Sequence, residues 1–226
     1  MIGYDGIVIS GSKESKPLHL KANHLFQALS VYILKNGQLI QNPYQYWSDI
    51  DKTLPKKPIK VLGPPATSGT YDVFIELAIR PFCPKNSRFK KYCGHLRTDG
   101  AYKAASEHGN VIAQKLLIDP ETIGVFGYTF LDANQERLWG APINGIEPTT
   151  ESIATDQYPL AHPFYLYLKK EHLTSVPSIA PFAKVFLDEE ISGPYTALAD
   201  KGLIPLNPKT RQRQKDILAK NQTNSI

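Results

Sequence analysis

The stretch that decides the fold is KVLGPPATSGTYDVF, residues 60–74. Its first residues favour a β-strand. Gly63-Pro64-Pro65 prevents a helix there, because proline lacks the backbone N–H and disfavours the helical conformation of the residue before it. From Tyr71 the apolar residues recur at helical spacing, with Asp72 in the first turn, where the helix dipole favours an acid. The stretch therefore predicts a strand, a tight glycine turn and the start of a helix.

The turn between this strand and this helix carries groups suited to an oxyanion. Thr70 is the predicted N-cap. Ser68 and Thr70 place two hydroxyls beside backbone N–H groups that lack helical partners, and Gly69 allows a ligand to come close. Such a helix start attracts phosphate or sulfate. A Ser-Gly-Thr turn also occurs as an ordinary N-cap without a ligand, and this alternative stays open.

Residue spacing argues against two other kinds of site. The P-loop pattern G-x-x-x-x-G-K-[ST], counted from Gly63, puts Ser68 where its second glycine belongs and Gly69 where its lysine belongs. The acids Asp72, Glu76 and Asp99 are scattered, and no Ser–His–Asp or paired-carboxylate set emerges. We therefore expect neither an ATPase nor any other enzyme, and no catalytic residues.

The composition is that of a globular chain. Its 226 residues, 42% hydrophobic and 21% charged, suffice for one core with an appendage or for two small domains. No apolar run reaches the length of a membrane span, and residues 1–5 lack the basic start of a secretory signal. The net charge of +5 is spread over separated lysines and a C-terminal tail without interleaved aromatic residues, so we do not expect nucleic-acid binding.

Strands and helices alternate along the sequence. The predicted strands are residues 4–10, 59–62, 123–130 and 164–168. The predicted helices are one from Asn23 to Asn36-Gly37, then residues 70–80, 110–118 and 179–187. This alternation predicts an α/β fold with a mainly parallel sheet, whose ligands bind beyond the carboxyl ends of the strands. The turn at Ser68 lies at such an end.

Six ordered segments of the chain resemble the PstS family, the phosphate-binding proteins of ABC-type phosphate uptake systems. They are residues 3–8, 42–50, 63–70, 99–102, 124–128 and 198–206. The resemblance covers essentially the whole chain and matches the C-terminal two-thirds of the family's sequence. It implies a periplasmic-binding-protein-like fold of type II, with one complete α/β lobe and the C-terminal part of the second lobe.

The resemblance also implies domains, partners and location. Residues 1–8 would be the crossover strand between lobes, residues 9–159 the lobe that holds the phosphate loop, and residues 160–226 the incomplete first lobe. The protein would bind inorganic phosphate without a cofactor and deliver it to an ABC permease. Its location would be periplasmic, although the sequence shows no export signal.

By resemblance, Ser68, Gly69 and Thr70 bind the phosphate and Thr67 lies beside them. Tyr71 stands where the family commonly has an arginine, so a neutral phenol replaces the main positive charge of this lobe. Arg97 is a candidate substitute for that arginine, with a solvated surface arginine as the alternative. His162 lies where relatives often carry arginine, and it either faces the binding cleft or is a structural hinge histidine.

Cys83 and Cys93 flank a Pro- and Lys-rich segment that suggests a loop. The resemblance favours a disulfide between them, which would stabilise the fold by about 3 kcal/mol in an oxidising compartment. Two free buried thiols are the alternative. We expect no zinc site, because only His95 lies close by and four ligands are needed.

In the family, further phosphate ligands precede the region that this chain resembles. We therefore expect millimolar affinity at best, and two functions stay open: a transport-binding protein, or a non-binding remnant or interaction domain of that family. The C-terminal part would pack onto missing strands. This leads us to expect partly exposed apolar side chains and a tendency to associate. These side chains are Phe164, Leu166, Phe182 and Phe186.

Overall fold

The structure, a computed structural model, describes residues 1–85, 92–169 and 171–220. In these residues the strands are β1 Gly3–Ser12, β2 Tyr32–Lys35, β3 Gln38–Gln41, β4 Val61–Gly63, β5 Tyr102–Ala104, β6 Ile123–Gly127, β7 Leu138–Gly140, β8 Ala161–Phe164 and β9 Ile204–Pro205. The α-helices are α1 Ala22–Leu29, α2 Trp47–Ile50, α3 Gly69–Phe74, α4 Gly109–Ile118, α5 Tyr128–Asp132, α6 Thr150–Ala154, α7 His172–Ser175, α8 Ile179–Val185, α9 Glu189–Ser192 and α10 Pro208–Ala219. α3 continues into a π-helical turn, Ile75–Ile79, and a 3₁₀ turn, Arg80–Phe82. Of the described helices, none combines the length and apolar character needed to cross a membrane.

The chain divides into two compact units. Unit 1 contains Met1–Gly6, Thr149–Gln157 and the described residues from Ala161 onward, and unit 2 contains Ile7–Pro148 and Tyr158–Leu160. The domain limits expected from the sequence stay a prediction. They differ from the limits of these units chiefly at residues 149–157, which belong to unit 1.

Unit 2 is built on a sheet with the strand order β5-β4-β6-β1-β7. β4 is parallel to β5 and β6, and residues 7–12 of β1 run antiparallel to β6 and β7. Ile7, Val8 and Ile9 are at most 1% exposed, because consecutive apolar residues occupy both covered faces of the strand. The α/β class predicted from the sequence is confirmed.

Helices begin where the parallel strands of unit 2 end. β4, β5 and β6 are followed along the chain by α3, α4 and α5. Gly63 at the end of β4 lies opposite Ala104 at the end of β5. The starts of α3 and α4 therefore follow strand ends at the same edge of the sheet, the edge at which α/β proteins bind ligands.

Unit 1 contains a small antiparallel sheet in which residues 3–6 of β1 pair with β8, and residues 3 and 4 also pair with β9. Arg211 of α10 is 5% exposed. Its Nη2 donates to the carbonyl oxygens of Ser192, at 3.3 Å, and Leu206, at 3.2 Å. This buried guanidinium therefore joins α10 to the end of α9 and to the residue after β9.

Several apolar side chains of unit 1 are exposed to solvent, as expected from the sequence. Phe164 is 40% and Phe182 61% exposed, and Leu166 and Phe186 are half-buried. The expected partial exposure of these four residues is confirmed. The expected tendency to associate stays a prediction.

The first helix predicted from the sequence was too long. α1 ends at Leu29, and Asn36-Gly37 forms the two-residue turn of the hairpin β2–β3. Both turn residues have positive φ, 50° for Asn36 and 76° for Gly37, which is the conformation that such hairpin turns require.

Two predicted strands also differ from the structure. The strand predicted at residues 123–130 stops at Gly127, and α5 begins at Tyr128. The strand predicted at residues 164–168 lies earlier, at Ala161–Phe164. Residues 165–168 belong to no helix or strand.

Candidate functional site

The candidate site is the turn from the end of β4 to the start of α3. At Gly63 a Cβ atom would overlap the Tyr102 side chain, so only glycine fits there without a shift. The Tyr102 hydroxyl donates to the Pro64 carbonyl oxygen at 2.6 Å, and burial raises the pKa of this phenol, which stays protonated. Tyr102 therefore fixes the direction in which the chain leaves β4.

α3 begins one residue earlier than the sequence suggested. Its N-cap is Ser68, whose backbone is extended, with φ −90° and ψ 136°. The Ser68 carbonyl oxygen accepts hydrogen bonds from the N–H groups of Tyr71, at 3.0 Å, and Asp72, at 3.3 Å. The prediction of Thr70 as N-cap was wrong, since Thr70 lies inside the first helical turn.

The first two amides of α3 are open. Among the described residues, none accepts a hydrogen bond from the N–H of Gly69 or Thr70. A Cβ atom built on Gly69 would meet no heavy atom within 4 Å, so the space beside this residue is free. The Ser68 side chain makes no capping bond. Two amides and two hydroxyls are therefore available to a ligand, and charge-assisted N–H bonds to oxyanions are short and strong.

An acidic side chain lies beside this turn. The Thr67 hydroxyl donates to Glu107 Oε1 at 2.7 Å, and both side chains are exposed. Glu107 follows β5 in the chain, and the Ala105 N–H donates to the Gly63 carbonyl oxygen at 2.9 Å. Sequence reasoning missed Glu107. The feature that could have indicated it is its position three residues after β5, the strand that pairs with β4.

Tyr71 follows the open amides and is half-buried. Its ring makes an edge contact with Tyr102, with centroids 6.3 Å apart. Burial, followed by the nearby charge of Asp72, raises the pKa of Tyr71, so the phenol is neutral. In the described part of the chain, no lysine or arginine forms a hydrogen bond or ion pair with residues 67–71. The turn therefore offers backbone dipoles and hydroxyls, and none of its groups is bonded to a cationic side chain of the described residues.

Arg97 is a buried arginine with a structural environment. Its Nε and Nη2 bind both carboxylate oxygens of Asp99 at 2.6–3.1 Å. Its Nη1 donates to the carbonyl oxygens of Tyr44, at 2.5 Å, and Ala28, at 3.3 Å. The alternative of a solvated surface arginine was wrong, since Arg97 is 8% exposed. Its guanidinium is occupied by protein acceptors.

His162 lies in unit 1, on β8, whereas residues 67–71 belong to unit 2. Its Nδ1 is buried and has no hydrogen-bond partner among the described residues. The ring packs edge-to-face on Phe164, with centroids 5.3 Å apart. These contacts are those of a packed histidine on a strand, and any role in binding stays a prediction.

Cys83 and Cys93 form a disulfide with a Cα–Cα distance of 5.8 Å. Cys83 follows the 3₁₀ turn at the end of the helical segment that begins with α3. Both thiols are therefore used in a covalent link.

The residues that the structure describes contain no cluster of His, Cys, Asp or Glu able to hold a metal ion.

Comparisons with known proteins place the chain in one family. The model of the PBP superfamily domain matches residues 1–193. The phosphate-binding protein PstS of Staphylococcus epidermidis is 28% identical over 230 residues, covering 98% of this chain and 61% of that protein. The PstS of Staphylococcus saprophyticus is 26% identical over 229 residues, covering 97% of this chain and 62% of that protein. The chain thus spans about three-fifths of the length of these relatives.

A solved structure shares the fold. It is described as a possible phosphate binding protein from Planctomyces limnophilus and superimposes with a TM-score of 0.75 at 21% identity, covering 98% of this chain and 72% of that one. At this identity the likeness shows the fold alone, which is that expected from the sequence. The chain belongs to the PBP superfamily, and its resemblance to the PstS phosphate-binding proteins is confirmed.

Proposed function

We propose that this chain binds inorganic phosphate at the turn of residues 68–70, as the solute receptor of an ABC-type phosphate transporter. The observation that carries the proposal is that the amides of Gly69 and Thr70 have no acceptor among the described residues and that Gly69 is exposed, at the carboxyl end of a parallel strand. Helix starts at such sheet edges bind phosphate. The Ser68 and Thr70 hydroxyls would complete the ligand set, and Thr67 would hold Glu107 beside it.

The proposed affinity is in the millimolar range. No lysine or arginine of the described residues is bonded to the turn, and Tyr71 supplies only a neutral phenol. Each charge-assisted hydrogen bond contributes roughly 1.5–3 kcal/mol, so the two amides together supply about 3–6 kcal/mol, a range that includes the binding free energy of about −4 kcal/mol that corresponds to 1 mM. The receptor's partner would be the permease of the transporter.

The disulfide supports a location outside the reducing cytosol, because such bonds persist in oxidising compartments. We therefore propose an extracytoplasmic site of action. Alkylation of protein from its native host, followed by mass spectrometry, tests this location. A Cys83–Cys93 link should be found intact, and two alkylated thiols would contradict the proposal.

The sharpest test of the phosphate site removes one amide proton without disturbing the helix. Gly69 is the first residue of α3 and follows an extended Ser68, and proline is well tolerated at this position. Gly69→Pro should lower phosphate affinity by about 10- to 150-fold, the loss of one charge-assisted bond. Gly69→Ala keeps the N–H and meets no atom within 4 Å, so it is the matched control.

Equilibrium dialysis with labelled phosphate measures both variants, and circular dichroism checks that they fold. Equal affinities of Gly69→Pro and Gly69→Ala would refute the assignment of the amide. The exposed apolar side chains of unit 1, such as Phe182 at 61%, favour an alternative function as an interaction domain. A folded wild-type protein that binds no phosphate up to tens of millimolar would support that alternative.

A further inference from the structure

Asp5 and His162 are neighbours in unit 1 although they lie far apart in the sequence. They are directly opposite each other in the antiparallel ladder of β1 and β8, between the pairs Tyr4–Pro163 and Gly6–Ala161. Opposed residues of such a ladder point to the same face, with Cβ atoms about 4.5–5.5 Å apart. A carboxyl group and an imidazole therefore share one face of this small sheet.

The imidazole has an unused nitrogen. Nδ1 of His162 is buried and has no hydrogen-bond partner among the described residues. Buried polar atoms are partnered in the great majority of cases, so an exception needs an explanation. Burial lowers the pKa of His162, which leaves the ring neutral near pH 7. A neutral ring has one donor and one acceptor nitrogen, and in either role Nδ1 has no partner among the described residues.

The carboxyl group has spare acceptor capacity. Asp5 Oδ1 accepts one hydrogen bond, from the Gly6 N–H at 2.8 Å, whereas an ionised carboxylate offers about four acceptor sites. Burial raises the pKa of Asp5 to about 6, although the hydrogen bond from the Gly6 N–H by itself lowers this pKa. Asp5 therefore changes charge close to the pH at which an ordinary histidine does.

Among the described residues, no charged side chain forms a hydrogen bond or ion pair with Asp5 or His162. On its own face Phe164 packs on the imidazole, and Leu203, before β9, lies beside Gly3. Tyr4 is the titratable neighbour along β1 and points to the other face; its own electrostatic neighbours are Asp156 and Tyr165. Ile153 of α6 covers the position of Gly6 on that face. In the described part of unit 1, burial is the main influence on both members of the pair.

We propose that Asp5 and His162 bind one proton together at mildly acidic pH, and that the protonated pair is a side-chain hydrogen bond joining β1 to β8. The proton comes from solvent, and no bond other than this hydrogen bond forms or breaks. With one proton on the pair, a nitrogen of the ring donates to the carboxylate, and we assign this role to Nδ1, which has no other partner among the described residues. A charge-assisted bond of this kind is stronger than a neutral one. The β1–β8 ladder is thus held more firmly near pH 5.5 than near pH 7.5.

Nuclear magnetic resonance of the full chain tests the coupling. The imidazole signals are followed from pH 8 to pH 4, and His162→Gln identifies the signal of His162. Asp5→Asn should lower the midpoint of His162 by about 1 pH unit, because an opposite charge within about 4–6 Å raises a histidine pKa by this order. Glu190→Gln, which removes an exposed acid of the same unit, should leave the midpoint of His162 unchanged. An unchanged midpoint in Asp5→Asn would overturn the proposal.

Amide hydrogen exchange gives a second readout that does not depend on that variant. After correction for intrinsic rates, the Ile2 N–H, which donates to the Phe164 carbonyl oxygen at 2.8 Å, should be protected several-fold better at pH 5.5 than at pH 7.5. The gain should vanish in His162→Gln. Equal wild-type protection at both pH values would also refute the proposal.

Discussion

Replacing Arg97 should destabilise unit 2 strongly without acting through the phosphate site. Arg97→Ala would deprive the carbonyl oxygens of Tyr44 and Ala28 of a charged donor, and each such loss costs roughly 1.5–3 kcal/mol. The bond to Asp99 adds little, because the Asp99 side chain is 48% exposed and exposed pairs contribute about 0–1 kcal/mol. The two losses sum to about 3–6 kcal/mol, and we expect the free energy of unfolding to fall by about 3–5 kcal/mol, the range seen when one partner of a buried pair is removed.

Urea unfolding followed by tryptophan fluorescence measures this loss, because Trp47 and Trp139 are both buried in unit 2. With a slope of about 2 kcal/mol per M, the midpoint should fall by about 1.5–2.5 M. Arg137→Ala removes an exposed arginine of the same unit and serves as the control. A difference below about 0.5 kcal/mol between the two variants would refute the reasoning. Arg97→Lys should bind phosphate as the wild type does, under conditions in which it is folded.

Two further changes test the surroundings of the site. Replacing both Cys83 and Cys93 by alanine should lower the free energy of unfolding by about 3 kcal/mol. Thermal melts with and without reductant measure this loss, and reductant should not change the melting temperature of the double variant. Gly63→Ala should cost about 1–3 kcal/mol, because its Cβ would overlap Tyr102, whereas Gly69→Ala should change stability by less than about 0.5 kcal/mol. Equal melting temperatures of the two alanine variants would contradict the packing described for β4.

The sequence predicted most of the elements that position the site. Within residues 60–74, Gly63 and Pro64 end the strand and the apolar residues at helical spacing from Tyr71 onward indicate the helix, although its N-cap position is Ser68 and not Thr70. The buried strand at Ile7–Ile9 was equally clear, because three consecutive β-branched apolar residues fit a strand covered on both faces. These elements are determined by residues close to one another in the sequence, so the sequence alone predicts them.

Other elements depend on residues distant in sequence. Asn36-Gly37 is favoured both after a helix and in a two-residue hairpin turn. The pairing of Ile33 with Ile40 favours the hairpin turn over the helix end. The periodicity of the sequence does not show this pairing. The helical period from Leu25 to Ile33 was therefore coincidental beyond Leu29. Gly127 in turn ends β6 because the next residues are helical.

The environment of Arg97 could not be predicted for the same reason. Its acceptors at Ala28 and Tyr44 are distant in the sequence, and only Asp99 lies close enough to be suspected. Glu107 reaches the turn because β4 and β5 are parallel neighbours. A sequence suggests that a sheet is parallel, but the order of its strands decides which loops meet.

The division of β1 between two sheets has a consequence for synthesis. Residues 3–6 pair with β8 and β9, which leave the ribosome late, whereas most partners of residues 7–12 are complete by Gly140. Unit 2 can therefore begin to fold during translation, while residues 3–6 begin to pair only when residues 161–164 have emerged and complete their pairing when residues 204–205 follow. A pause in translation after Leu160 would lengthen the time for which this segment is exposed to proteases and chaperones.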